Sequence, residues 1–188
     1  IWLTRQETAR RVLQRIKTVL LWAKGNSYRT DSPGEEIESV RKSLPKQKEK
    51  VKHFSSLPHK NVKQFILNMR QSNAEVVSKL AFEYLILTAV RTKEVLDATW
   101  DEIDEKEHVW TIPENRMKAG KEHRVPLSSQ AMRVLEQMKV NGKTDGNYVF
   151  ANDSKKGHLS NMVFAMILRR LDVKATAHGF RSSFRDWC

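Results

Sequence analysis

VWTIPENRMKAGKEHRVPLS, residues 109–128, is the stretch whose reading decides the fold. Residues 108–113 and 122–127 read as two short strands, and the Lys/Gly turn between them makes an antiparallel hairpin. Outward in both directions the pattern turns helical. Upstream, residues 59–71 and 74–90 read as helices, the second very apolar (Val76, Val77, Leu80, Ala81, Tyr84, Leu85, Leu87), and 92–98 as a further short one. Downstream, Ser128 or Ser129 caps a helix carrying Met132, Leu135 and Met138. Residues 142–147 are a loop, and Tyr148 to Phe150 a short extended piece. Ser160 caps a helix with Val163, Ile167, Leu168 and Leu171; Thr176 caps the last, which carries His178, Arg181 and Phe184. The expected class is mainly α with a small antiparallel β-sheet (α+β).

The start of the chain has a different texture. Residues 4–24 read as one helix, with Thr4 and Glu7 at capping-box spacing. Val12, Leu13, Ile16, Val19, Leu20 and Ala23 form an apolar stripe at helical period, and Gly25-Asn26 supplies a stop. After a loop holding Pro33-Gly34, residues 35–43 suggest a short helix. Residues 45–53, PKQKEKVKH, show no apolar periodicity. Lys46, Lys48, Lys50 and Lys52 alternate there, which suits an extended segment lying along phosphates and equally a solvated tether. The expected organisation is a helical piece over 1–45, a basic linker over 46–56 and a larger domain over 57–188.

The chain has 188 residues and a net charge of +12. Residues 1–60 hold 14 Lys/Arg against 6 Asp/Glu, a balance of +8; residues 61–188 hold 20 against 16, a balance of +4. The excess is concentrated in the first third and suits a polyanionic partner, nucleic acid ahead of a membrane; the plainer reading is a soluble domain with surface lysines. No apolar run approaches the roughly 18 residues of a membrane span. One cysteine excludes an internal disulfide and a Cys-based zinc site, and the six histidines show no i, i+4 ligand pairing, so no metal or other cofactor is expected. A reducing, cytoplasmic setting fits.

Several residues carry possible chemistry. Arg91 ends the apolar helix, where a guanidinium needs a partner because unpaired burial is costly. Glu94, three residues on, is placed to orient it; the plainer reading is a surface Arg–Glu pair. His178 and Arg181 share a face in the first turn of a predicted helix, where backbone N–H groups also favour an anion. An Arg neutralising a non-bridging phosphate oxygen, beside a His that donates a hydrogen bond or moves a proton, is a sensible pair for phosphoryl transfer. Lys118 and Lys121 flank a Gly turn, from which an ammonium can reach a DNA groove and protonate a leaving 5′ oxygen; turn lysines are also common.

Three strings taken together, TAVRTKEVLDATWDEID (88–104), VWTIPENRMKAGKEHRVPLS and HGFRSSFRDW (178–187), resemble the catalytic domain of tyrosine recombinases, the phage-integrase family, and most the integrases of phages and genomic islands. The resemblance covers residues 57–188. ETARRVLQRIKTVLLWAK (7–24) is similar, more weakly, to the end of that family's helical core-binding domain. The resemblance implies site-specific DNA recombination by metal-free transesterification through a 3′-phosphotyrosine, with no ATP. It implies Arg91 as the first catalytic arginine, Glu94 as its supporting acid, Lys118 as general acid with Lys121 the second choice, and His178 and Arg181 as the H-x-x-R pair. DNA contacts are expected from Arg10, Arg11, Lys46, Lys48, Lys50, Lys52, Lys93 and Lys121. The implied partner is double-stranded DNA, bound by a homotetramer of the full-length enzyme, with accessory DNA-bending proteins possible; the fragment alone is expected to be monomeric.

Three departures qualify the resemblance. Lys93 stands where the family has a small residue. The start of a core-binding domain and any arm-type domain are lacking. The sequence reaches Cys188 without the further His or Trp and the tyrosine nucleophile, so the chain as given is expected to be inactive. Tyr28, Tyr84 and Tyr148 are poor substitutes: a loop, a core stripe and a short strand hold them. A type IB topoisomerase shares the chemistry, but the short hairpin and the WDEID and VPLS surroundings favour the integrase. A DNA-binding remnant or regulator without cleavage activity is the alternative in a different class.

Overall fold

In the computed structural model, which describes residues 1–47, 54–117, 119–141, 146–152 and 157–188, the chain forms two compact units, Ile1–Lys52 and His53–Cys188. No described helix is long and apolar enough to cross a membrane.

The first unit is a pair of packed helices, α1 (Gln6–Gly25) and α2 (Pro33–Ser43). Pro33 at the start of α2 has a φ already suited to a helix. The capping box expected at Thr4 is not formed: α1 begins with Arg5 as N-cap, and the Glu7 carboxylate accepts hydrogen bonds from Arg10 and Arg11 instead. The apolar stripe also behaves differently from a core stripe. Ala9 is the buried residue of α1, while Val12, Ile16 and Val19 are exposed. One short partner, burying Pro33 and Ile37, cannot cover a full helical stripe. Trp2 is tied to the end of the unit, its indole N–H donating to Pro45 O at 2.8 Å.

The second unit is built around one helix. It contains α3 (His59–Gln71), α4 (Val76–Thr88), α5 (Thr92–Leu96), strands β1 (Ile103–Asp104), β2 (Val109–Ile112) and β3 (His123–Pro126), then α6 (Ser129–Asn141), α7 (Val163–Arg170) and α8 (Phe180–Arg185). The strands form one antiparallel sheet in the order β1-β2-β3, with Trp110 opposite both Ile103 and Val125. Sequence patterning gave β2 and β3; β1 is only two residues long and shows no alternation.

α4 is mostly apolar and buried from Val77 to Ile86 except at Lys79, as befits a helix covered on most faces, and its buried Glu83 is paired with Arg70. α3, α5, α6, α7 and α8 pack against it. Phe82 stacks on Phe164 and meets Phe65 and Phe180 edge-on, with centroids 4.8 to 5.5 Å apart. Tyr84, two residues on and so about 200° round the helix, meets Trp110 of β2 and Phe150 at 5.3 and 5.4 Å. One side of α4 therefore anchors α8 and the other the sheet. Aromatic side chains supply most of the apolar area at both contacts. Beyond Thr88 the helix stops at Ala89, which takes the left-handed conformation (φ 52°) and turns the chain toward Arg91.

Ser128 caps α6, its Oγ accepting from Ala131 N–H at 3.2 Å. Tyr148 forms a single bridge with Thr99. α8 begins at Phe180, later than the sequence pattern suggests: His178 lies in the preceding turn, where Thr176 Oγ accepts from Gly179 N–H at 3.0 Å. That turn is continuous with the helix, since Arg181 N–H bonds His178 O at 3.2 Å.

Candidate phosphate-activating site

Arg91 is the residue immediately before α5, and its side chain is 43 % exposed. The Glu94 carboxylate holds it twice, accepting from the Arg91 backbone N–H at 2.7 Å and from its Nη1 at 2.6 Å. Glu94 is itself 5 % exposed, so a charge-assisted pair fixes the guanidinium at the edge of the core while leaving part of it open. The three-residue spacing seen in the sequence has this geometry as its basis.

Behind Glu94 lies a network that sequence reasoning missed. Arg116, from the connection between β2 and β3, donates Nη2 to the Glu94 backbone oxygen at 2.7 Å and Nη1 to Glu102 Oε1. The other Glu102 oxygen accepts the Trp110 indole N–H at 2.9 Å. Arg116 and Glu102 are 20 % and 8 % exposed, so each depends on the other for its charge. The connection between β2 and β3 is thereby fastened to the turn that carries Arg91. Arg116 sits two residues before Lys118 in the sequence. Lys118 lies outside the described residues, as do Lys48, Lys50 and Lys52.

His178 and Arg181 flank Phe180, which is 1 % exposed and wedged against Phe65 and Phe82. This apolar anchor fixes the turn while leaving the two polar residues at the surface, His178 exposed and Arg181 half-buried. His178 meets the ring of Phe54 edge-on at 4.8 Å. Among the described residues Arg181 makes no side-chain hydrogen bond or ion pair. Nor does any such bond join Arg91 directly to His178 or Arg181. What relates them is α4, which runs into the Arg91 turn and carries α8 through Phe82 and Phe180.

The remaining basic residues fall into two groups. Arg10 and Arg11 both pair with Glu7, at 2.9 and 2.7 Å, and hold its carboxyl below the usual range, with Arg11 the larger influence. Lys46, Lys93 and Lys121 are exposed. The tyrosines differ sharply in setting. Tyr84 is fully buried, its hydroxyl makes no hydrogen bond among the described residues, and burial raises its pKa well above the ordinary phenol value, with the Glu102 charge adding to the shift. Tyr28 is exposed and stacks on Trp22. Among the described residues no three His, Cys, Asp or Glu side chains group as a metal site.

The fold has close structural counterparts. It matches the Tn1549 transposon integrase in complex with circular intermediate DNA at a TM-score of 0.68 and 13 % identity, over 95 % of this chain and 64 % of that one. It matches a lambda integrase tetramer bound to a Holliday junction at 0.67 and 18 %, over 94 % and 52 %. These likenesses define the class, a tyrosine-recombinase fold. Residues 55–187 match the model of the phage integrase family, and the chain belongs to that family. By sequence it is 35 % identical to prophage integrase IntA of Escherichia coli (strain K12) over 94 % of this chain and 42 % of that protein, and 28 % identical to the integrase of Enterobacteria phage P4 over 96 % and 44 %. The chain thus spans less than half the length of these curated relatives.

Proposed function

We propose that this chain binds duplex DNA and supplies the phosphate-activating groups of a site-specific recombinase. The observation that carries the reading is the Arg91 turn in a chain of the phage integrase family: a half-open guanidinium held by a buried carboxylate at the spacing on which the resemblance rests. A partly exposed, pre-oriented cation suits a phosphate oxygen, because its orientation is set before the ligand arrives.

In this reading a tyrosine oxygen attacks the scissile phosphorus and the bond to the 5′ oxygen breaks. The 3′ phosphate is left on the tyrosine. Arg91 and Arg181 neutralise the non-bridging oxygens, and His178 donates a hydrogen bond or moves a proton. Lys118 protonates the departing 5′ oxygen, with Lys121 as the second candidate. The 5′ hydroxyl of a partner strand then reverses the step. Glu94 supports Arg91. Arg10, Arg11, Lys46, Lys48, Lys50, Lys52 and Lys93 contact the DNA backbone. Residues 1–45 act as part of a core-binding domain joined through the 46–56 linker. The solved relatives support a DNA partner: lambda integrase is bound to a Holliday junction as a tetramer, and the Tn1549 enzyme to a circular intermediate.

Binding of this chain to a 30-bp duplex tests the electrostatic part. A protein making ~6–10 phosphate contacts loses about 10³–10⁵ in affinity between 50 and 200 mM salt. A steep fall of that order is expected, and an affinity flat across the range contradicts the reading.

A further inference from the structure

Four backbone residues, Phe54–Leu57, run across the turn that carries His178. Ser55 O accepts a hydrogen bond from Thr176 N–H at 3.0 Å and lies 3.4 Å from Thr176 Oγ. Leu57 O accepts from the Ser183 hydroxyl on α8. Between those two fastenings the segment passes so close to Gly179 that a Cβ there would lie 2.1 Å from Ser55 O and 2.9 Å from Ser55 C. Backbone atoms cannot swing aside as a side chain would, so the glycine is needed for the approach. At the leading end Phe54 places its ring edge-on to the His178 imidazole, 4.8 Å away at 64°.

Phe54 is 65 % exposed, and it therefore contributes little to the core. An aromatic ring left in water beside a surface histidine has few other contacts to satisfy. We infer that Phe54 is a positioning residue for His178, and that the strap Phe54–Leu57 fixes the turn so that the imidazole is held in one rotamer toward the phosphate. The inference rests on the reading of His178 as a phosphate-facing group. The physical argument is steric and entropic. An exposed imidazole samples several χ1 states, and a ring packed on one side removes those that would cross it. A group already in its reacting position does not pay that ordering cost when the ligand binds.

The test has two arms. In this chain, with histidine isotopically labelled, three-bond couplings report the χ1 populations of His178. A single rotamer is expected in the parent, averaging over rotamers in Phe54→Ala, and a single rotamer again in Phe54→Tyr, with the melting temperature nearly unchanged throughout. A single rotamer in Phe54→Ala overturns the inference. In a chain that also carries the tyrosine nucleophile, Phe54→Ala is expected to slow single-turnover DNA cleavage about 10-fold with unchanged DNA affinity, short of the ~10²-fold that a 1 Å misplacement costs. Phe54→Tyr restores the rate, and adding Phe54→Ala to His178→Ala costs nothing further. Additive losses in that double variant would show that Phe54 acts elsewhere. Cleavage undiminished in His178→Ala alone would instead overturn the role given to His178, while the rotamer result would still decide whether the strap holds the ring.

Discussion

Two turns mounted on α4 carry the candidate site, and they are held by opposite chemistry. The Arg91 turn is fastened by charge: Glu94 grips the guanidinium and its backbone N–H, Arg116 grips the Glu94 carbonyl, and Glu102 grips Arg116 and Trp110. The turn with His178 and Arg181 is fastened by apolar packing of Phe180 and by the backbone of Phe54–Leu57. Arg181 has no ionic partner among the described residues. One arginine is thus oriented at the cost of sharing its charge, and the other shares its charge with no described carboxylate. In the proposed function both cations face phosphate oxygens, Arg91 already oriented by a carboxylate and Arg181 without one.

The difference can be broken most forcefully at the anchors. Phe180→Ala empties the aromatic cluster beneath the second turn and is expected to cost about 3–5 kcal/mol of stability, the range for a buried Phe, measured by urea unfolding. Glu102→Ala strips Arg116 and Trp110 of their acceptor together. Breaking such a pair is expected to cost about 3 kcal/mol, with Glu102→Gln losing less because it still accepts from Trp110. Gly179→Ala comes next. The 2.1 Å approach to Ser55 O forces the strap away, for a loss of about 1–3 kcal/mol. If Gly179→Ala unfolds like the parent, the strap is not bound as described.

Smaller effects sharpen the contrast. Arg181→Ala should leave stability within about 0.5 kcal/mol, yet lower the slope of log affinity for duplex DNA against log salt by about 1, as removal of one phosphate contact does. A large stability loss would mean that Arg181 holds the fold. At the smallest scale lies pH. Glu7, Asp31 and Glu38 in the first unit titrate below their ordinary values because of Arg11, Arg29 and Lys17 respectively. A depressed carboxyl contributes stability above its unfolded pKa and loses it as pH falls through the folded value. Mild acid below the ordinary carboxylate range should therefore weaken the Lys17–Glu38 link between α1 and α2, which amide chemical shifts of residues 1–47 followed by NMR in the whole chain would register before the rest of the chain responds.

Much of this arrangement was legible in the sequence where contacts are local. The helix over 59–71, the Ser128 cap and the Arg91–Glu94 spacing depend on residues within a few positions of one another, and the hairpin strands show in their own composition and in the turn between them. What was not legible depends on distance along the chain. Arg116 reaches Glu94 across 22 residues, and Ser183 reaches Leu57 across 126; neither leaves a periodicity to read. The α1 stripe misled for a related reason, since pattern reports which face is apolar and not whether a neighbour covers it.

The proposed role of Arg181 lies chiefly in the transition state, beyond a single phosphate contact and not in the fold. It is tested most directly by Arg181→Ala in a chain carrying the tyrosine nucleophile, with covalent capture of a suicide DNA substrate and duplex binding measured side by side. Capture slowed by about 10²–10³ or more is expected, as for loss of one transition-state donor, with most binding retained. Capture and binding falling together by the same factor would contradict it.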